Sequence, residues 1–72
     1  MFAVNDYIQR TQDLVNGQLN PNAVHLLILD EYQCSHEGDW RYKIKIISKQ
    51  PGDNDESTVG HFTAHKYFTK IH

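Results

Sequence analysis

The stretch that decides the fold is residues 40–48, which read Trp-Arg-Tyr-Lys-Ile-Lys-Ile-Ile-Ser. From residue 40 to residue 46 the even positions carry aromatic or branched apolar side chains, and the odd positions between them carry basic ones. Strict alternation of this kind places the two sets of side chains on opposite faces of a β-strand. We therefore predict a strand here with one buried face and one solvated face.

Two more strands are predicted on either side of this one. Residues 24–33 are rich in branched and apolar side chains, and the polar turn 35–39 separates them from the central strand. Downstream, the polar stretch 49–56 contains Pro-Gly and predicts a loop, after which a third strand is expected at about residues 57–62. The three segments together predict a three-stranded antiparallel sheet.

The N-terminal segment has a helical pattern. Its apolar residues recur at helical spacing: Val4, Tyr7, Ile8, Leu14 and Val15. Asn5 is a suitable N-cap, and Gly17 is a suitable C-terminal stop. The pattern predicts a helix over residues 5–16, packed on the sheet by its apolar stripe.

The C-terminal segment fits two structures. As a strand, residues 57–71 would place His61, His65, Tyr67 and Ile71 on one side. As a helix capped by Thr63, the segment would gather its apolar residues on one side: Ala64, Tyr67, Phe68 and Ile71. We favour the helix, and the strand remains open. The predicted fold class is α+β, in which an N-terminal helix precedes a three-stranded antiparallel sheet and a short C-terminal helix closes it (αβββα). Residues 1–72 form one small domain.

This element order resembles the topology of the double-stranded RNA-binding domain. Members of that family carry a lysine cluster at the start of the last helix, where it grips phosphates. The matching stretch here, Gly60-His61-Phe62-Thr63-Ala64-His65-Lys66, offers one lysine and two histidines, and the loop between the second and third strands is acidic. The resemblance is confined to the order of the elements.

Composition excludes several classes of protein. The longest uninterrupted apolar run is Leu26–Leu29, which is far shorter than the ~20 residues of a membrane span. The N-terminus lacks the pattern of a secretory signal, and the single cysteine, Cys34, excludes an internal disulfide. We expect a cytoplasmic protein that does not associate with membranes. The net charge of −2 is unlike that of a strongly basic nucleic-acid-binding domain.

The sequence contains five histidines, which are candidates for metal binding or acid–base catalysis. His61 and His65, four residues apart, share a face in either a helix or a strand. A structural zinc site needs four ligands, and Cys34 has no cysteine partner at ligand spacing. We therefore expect no metal, no cofactor, no catalytic residue and no enzymatic activity.

One alternative is a small ribonuclease with His61 or His65 as the acid–base group and Arg41 or Lys43 stabilising a phosphate. Another is a pH-responsive protein, because protonating all five histidines would move the net charge from −2 to +3.

The predicted hairpin suggests a binding site. A turn centred near residue 37 would pair Leu27 with Ile47 and Leu29 with Lys45 on one face. With both helices on the other face, Leu27, Leu29 and Ile47 would form an exposed apolar island. Its basic rim would consist of Lys43, Lys45 and Lys49, and Trp40 at the end of the hairpin would be an interface anchor. The alternative is that the C-terminal segment crosses this face and covers it.

From these features we predict a small non-enzymatic regulator or inhibitor that docks on a larger protein through the sheet face or the hairpin. Phage-type control of host transcription or defence machinery is an example of such a role. The competing prediction is a nucleic-acid-binding module that uses a basic strand face. Its cations would be Arg41, Lys43, Lys45, Lys49, Lys66 and Lys70.

Overall fold

A five-stranded antiparallel sheet forms the body of the protein. The computed structural model describes residues 1–34, 38–47 and 55–71. In chain order the elements are β1 (Tyr7–Arg10), a 3-10 turn (Thr11–Asp13), β2 (His25–Gln33), β3 (Trp40–Ile47), β4 (Glu56–Gly60), α1 (His61–Tyr67) and β5 (Phe68–Ile71). The strand order across the sheet is β4-β3-β2-β1-β5, and all of these pairs are antiparallel. The three central predicted strands therefore exist as β2, β3 and β4.

The predicted N-terminal helix over residues 5–16 is wrong. Residues Tyr7–Arg10 form strand β1, which pairs with β2 on one side and with β5 on the other. The ladder with β5 covers all four residues and the ladder with β2 covers Tyr7 and Ile8, and the side chain of Ile8 is fully buried in the core. The helical spacing of the apolar residues does not reflect a buried stripe. Tyr7 and Val15, which belong to the predicted stripe, are both exposed.

Gly17 is part of a tight turn and not a helix stop. Asn16 and Gly17 have φ angles of 52° and 76°, and Val15 and Gln18 exchange backbone hydrogen bonds of 3.0 and 2.9 Å. Positive φ at both central residues is the signature of a type I′ turn, which Asn-Gly favours strongly. The segment after β1 is therefore a small hairpin on the way to β2.

The C-terminal segment is both helix and strand. Helix α1 begins at His61 and not at Thr63, and it ends where the Phe68 N–H bonds to the Ala64 carbonyl. Residues Phe68–Ile71 then form β5. The predicted αβββα fold class is wrong for this reason and because the N-terminal helix is absent. The order of the elements therefore does not match that of the double-stranded RNA-binding domain.

The sheet curves around the helix. α1 joins β4 directly to β5, and these are the two outer strands. From Gly60 to Phe68 the chain advances about 12 Å at helical rise. A flat five-stranded sheet would hold its outer strands about 19 Å apart, so the sheet must bend to bring them together. A β-bulge between Ile28 and Asp30 bends β2.

Within the described ranges, no helix has the length and apolar character to cross a bilayer.

The core lies on the face of the sheet that α1 covers, which we call the helix face. Its buried residues are Ile8, Leu26, Ile28, Tyr42, Ile44 and Ala64, and Phe2, Ile46, Val59 and Phe68 pack around them. We call the other side of the sheet the opposite face. Because side chains alternate along each strand, the neighbours of the core residues in sequence point to it.

One buried polar side chain anchors the segment between β1 and β2. Gln9 is fully buried on the opposite face. Its Oε1 accepts a hydrogen bond from the Asn20 N–H at 2.8 Å, and its Nε2 lies within 3.0–3.3 Å of the carbonyl oxygens of Asn20, Ala23 and Val24. A single amide thus supplies hydrogen-bond partners to several backbone groups of the loop.

We predict that Gln9→Leu lowers the free energy of unfolding by about 1–3 kcal/mol, because the buried Asn20 N–H and the carbonyls lose their partner. Urea denaturation followed by circular dichroism measures the change. Gln12→Leu is the matched control, since Gln12 is exposed in the 3-10 turn and should change stability by less than about 0.5 kcal/mol. Equal losses in both variants would contradict the role assigned to Gln9.

Candidate functional site

The structure places Leu27 and Ile47 on the opposite face, as predicted, but in a different register. Leu27 lies across from Lys45, and Ile47 lies across from His25. The predicted pairing of Leu27 with Ile47 is therefore wrong by two residues. A shift of two residues keeps every side chain on its predicted face, so both residues still belong to one surface.

The bulge alters the rest of the predicted site. Leu29 is the extra residue of β2 and has no partner on β3. Beyond it, Glu31 lies across from Tyr42 on the helix face, so its predicted pair with Lys43 does not form. Lys43 instead lies 3.4 Å from Glu56 on β4. Lys49 lies outside the described residues.

An open groove of about 420 Å³ occupies the opposite face. It is lined by Tyr7, Leu19, His25, Ile47 and Ile71, which come from β1, the β1–β2 loop, β2, β3 and β5. The rings of Tyr7 and His25 lie 5.9 Å apart between centroids in a tilted contact. We call these five residues the groove. The sequence analysis missed Tyr7, Leu19 and Ile71, and the Asn-Gly turn signal at residues 16–17 was the clue that the helix containing Tyr7 does not form.

The charges around the groove are basic or neutral on its β3 side. Lys45 lies across from Leu27 and has no ion pair within the described part of the chain. Partial burial lowers the pKa of His25 below its usual value of 6.5, so its ring is neutral at pH 7. The groove is thus an uncharged apolar surface beside one unpaired cation.

A second feature is a cluster of rings between α1 and the sheet. The ring of His61 stacks on that of Tyr42 at 4.1 Å between centroids, and the His65 ring lies 5.3 Å from that of His61. The Tyr42 hydroxyl is 2.8 Å from His65 Nε2, and the Phe2 ring lies 4.9 Å from the His65 ring. The two histidines, one turn of helix apart, thus both rest on a single buried tyrosine.

Glu31 completes this cluster. Its Oε2 lies 3.1 Å from His61 Nε2, which is an ion-pair distance when His61 is protonated. The same nitrogen is buried and has no contact of hydrogen-bond geometry within the described residues, so the interaction is electrostatic and poorly aligned. Burial raises the pKa of the Tyr42 hydroxyl, and the Glu31 and Asp6 carboxylates raise it further, while a hydrogen bond to the Phe2 backbone opposes them.

The residues of the ribonuclease alternative are only partly brought together. His61 and His65 share α1, and Arg41 lines a depression beside His61. Lys43 lies on the opposite face, bound to Glu56. His65, the most exposed of the three described histidines, has its Nε2 engaged by Tyr42.

The predicted basic strand face is also divided. Arg41, Lys43 and Lys45 share the opposite face, but Lys70 lies on the helix face, across from Ile8 and 3.5 Å from the Asp6 carboxylate. Lys66 belongs to α1. These cations therefore do not form one surface.

Metal ligation has no support among the residues that the structure describes. These contain no cluster of three or more His, Cys, Asp or Glu side chains placed to hold an ion. Cys34 is a half-buried free thiol, and His36 and His72 lie outside the described residues.

Trp40 begins β3 at the far end of the sheet from the groove. Its ring lies 6.2 Å from that of His61, and about half of the side chain is exposed. It therefore belongs to the surface around α1, and the role of interface anchor stays a prediction.

Comparison with known proteins adds no relative: a scan of family models and searches of curated proteins and of solved structures found no match to this chain.

The ring cluster predicts a pH dependence centred on His65. Burial of its ring lowers the pKa of His65 below 6.5, the charges of His61 and of the N-terminal amino group lower it further, and Glu31 opposes them. The unfolded chain therefore binds this proton at a higher pH than the folded protein does. The contribution of His65 to stability is intact above about pH 6.5 and declines as the pH falls through the lowered pKa.

Proton NMR titration of the His65 ring measures the pKa directly. Urea midpoints recorded between about pH 7.5 and pH 5.5 should fall more in the wild type than in His65→Gln, which has no titrating group at this position. A His65 pKa above 6.5, or identical slopes in the two proteins, would show that the cluster does not favour the neutral ring.

Proposed function

We propose that this protein is a small non-enzymatic binding module that docks on a larger protein through the groove. The observation that supports this proposal is the groove itself, in which apolar and aromatic side chains from four strands and one loop face solvent together. Tyr7 is 44% exposed, and Leu19 is exposed as well. A concave apolar surface beside polar residues is typical of protein contact sites.

The chemistry of the groove indicates what it binds. Its walls offer apolar area and the face of a tyrosine ring, and Lys45, which has no ion pair among the described residues, lies beside Leu27. A partner segment with apolar side chains next to a carboxylate would fill the groove and pair with this cation. The occupant we propose is therefore an apolar segment of another protein that carries Asp or Glu at its flank.

The role of a regulator or inhibitor is part of the proposal. Phage-type control of host transcription or defence machinery is one setting in which such a module acts, and its only support is the small size of the chain. The groove explains how the module would attach to a partner, whichever process it controls.

We predict that the groove selects peptides of this composition from a displayed random library. The selected peptides should carry apolar residues flanked by Asp or Glu. Their affinity should fall about tenfold or more for Leu19→Asp and for Ile47→Asp, because each places a carboxylate in the groove. Lys45→Glu should weaken them by reversing the flanking charge. Fluorescence polarisation with a selected labelled peptide measures the changes.

Val4→Asp is the matched control, since Val4 is exposed outside the groove and should leave the affinity unchanged. Circular dichroism of each variant checks that the sheet is intact. Peptides that bind Leu19→Asp as well as the wild type would overturn the proposal, and so would a library with no enriched sequence. Dimerisation in light scattering that Leu19→Asp abolishes would assign the groove to a second copy of this chain.

A further inference from the structure

The outer surface of α1 carries three exposed aromatic side chains. Phe62 is 78% exposed, Tyr67 is 51% exposed, and Trp40 at the neighbouring start of β3 is 48% exposed. Single exposed apolar residues are common on protein surfaces, but a contiguous group indicates a contact site. This group lies on the helix face, away from the groove.

Cations alternate with these rings. Lys66 Nζ lies 5.5 Å from the centroid of the Phe62 ring and 5.4 Å from that of Tyr67, so it stands between them in cation–π contact with both. Arg41 contributes to one surface depression with Trp40 and Phe62 from the opposite face, where its Nη2 lies 3.1 Å from the Thr58 hydroxyl. Arg10 lines another depression with Lys66 and Tyr67.

The depressions form a continuous path. The depression of Trp40 and Arg41 shares His61 and Phe62 with a second depression, which is lined by His61, Phe62, His65 and Lys66. The second shares Lys66 with the third, that of Arg10 and Tyr67. We call the path from Trp40 to Tyr67 the aromatic track. Each of its three depressions has at least one exposed aromatic ring and one cation.

The charge of the track differs from that of the whole chain. Among the described residues that line it, Asp39 is the one carboxylate, whereas Arg10, Arg41 and Lys66 are cations. The chain has a net charge of −2, but this surface is locally basic. A flexible polyanion would thus find favourable charge here.

We propose that the aromatic track binds single-stranded nucleic acid. Exposed rings interleaved with cations match this ligand, because unpaired bases stack on aromatic faces while the backbone phosphates meet Lys and Arg side chains. In a duplex the base faces are already stacked on one another, so the track has no equivalent contact to offer. The proposal shares Arg41 and Lys66 with the predicted basic strand face but rests on the exposed rings beside them, and it is independent of the groove.

The protein contains its own probe for the test. Trp40 is the single tryptophan of the chain, so its fluorescence reports on the track alone. We expect unlabelled oligo(dT) to quench Trp40 in a saturable manner as a base stacks near it. Neutralising about three phosphates predicts that the affinity falls by roughly tenfold to twentyfold between about 50 and 200 mM salt.

Variants separate stacking from charge. Phe62→Ala should weaken anisotropy-measured binding of fluorescein-labelled oligo(dT) about fivefold or more, since it removes one stacking surface that is not part of the core. Lys66→Ala should also weaken binding. Lys45→Ala removes the same charge from the opposite face and should leave binding unchanged. Leu19→Asp should also bind oligo(dT) normally, so that failure of the groove and failure of the track can be told apart.

Four results would overturn the proposal. The first is equal affinity for polyphosphate or polyglutamate, which would show that any polyanion binds and that the rings have no role. The second is an unchanged affinity in Phe62→Ala. The third is no quenching of Trp40 at low salt, and the fourth is equal binding of duplex DNA.

Discussion

The contact between Tyr42 and α1 is the interaction on which both proposed surfaces depend. A seven-residue helix is unstable on its own, and Gly60 at its N-cap position has no side chain to cap it. The Tyr42 ring supplies a fully buried platform on which His61 stacks, and its hydroxyl meets His65. The helix held in this way presents the aromatic track on its outer side. The helix also connects β4 to β5, and Ile71 of β5 lines the groove.

Strands with a clear local side-chain pattern were predicted correctly from the sequence. Prediction failed for the strand whose pairing partners are distant in the sequence. The alternation in residues 40–48 is visible without knowledge of the fold, and β3 lies where it indicates. The segment Tyr7–Arg10 is a strand because β2 and β5 supply its two ladders, and β5 comes from the far end of the chain. The C-terminal segment was ambiguous for a physical reason, since its first half packs as a helix on Tyr42 and its second half pairs with β1.

The face on which Leu27 and Ile47 lie was predictable from the sequence, because facing is more robust than register. Leu27 and Ile47 remained on one face despite a two-residue shift. The bulge at Leu29 was not readable, because a branched apolar residue fits a regular strand equally well, and it moved Glu31 to the helix face beside His61. The aromatic track could not be predicted from the sequence either. Phe62 and Tyr67 have the side chains of typical core residues, and only the structure shows that α1 buries its other side.

The position of β1 between β2 and β5 has a consequence for how the protein folds. The pairing of Tyr7 with Ile71 joins strands that are far apart in the sequence, so the sheet is completed only when β5 docks on β1. Until then β1 is an unpaired edge, the kind of backbone surface that recruits strands from other chains. Contacts this distant in sequence also slow folding, because a large loop must close before they form. A folding intermediate in which β5 has not yet docked therefore exposes the edge of β1 to other chains.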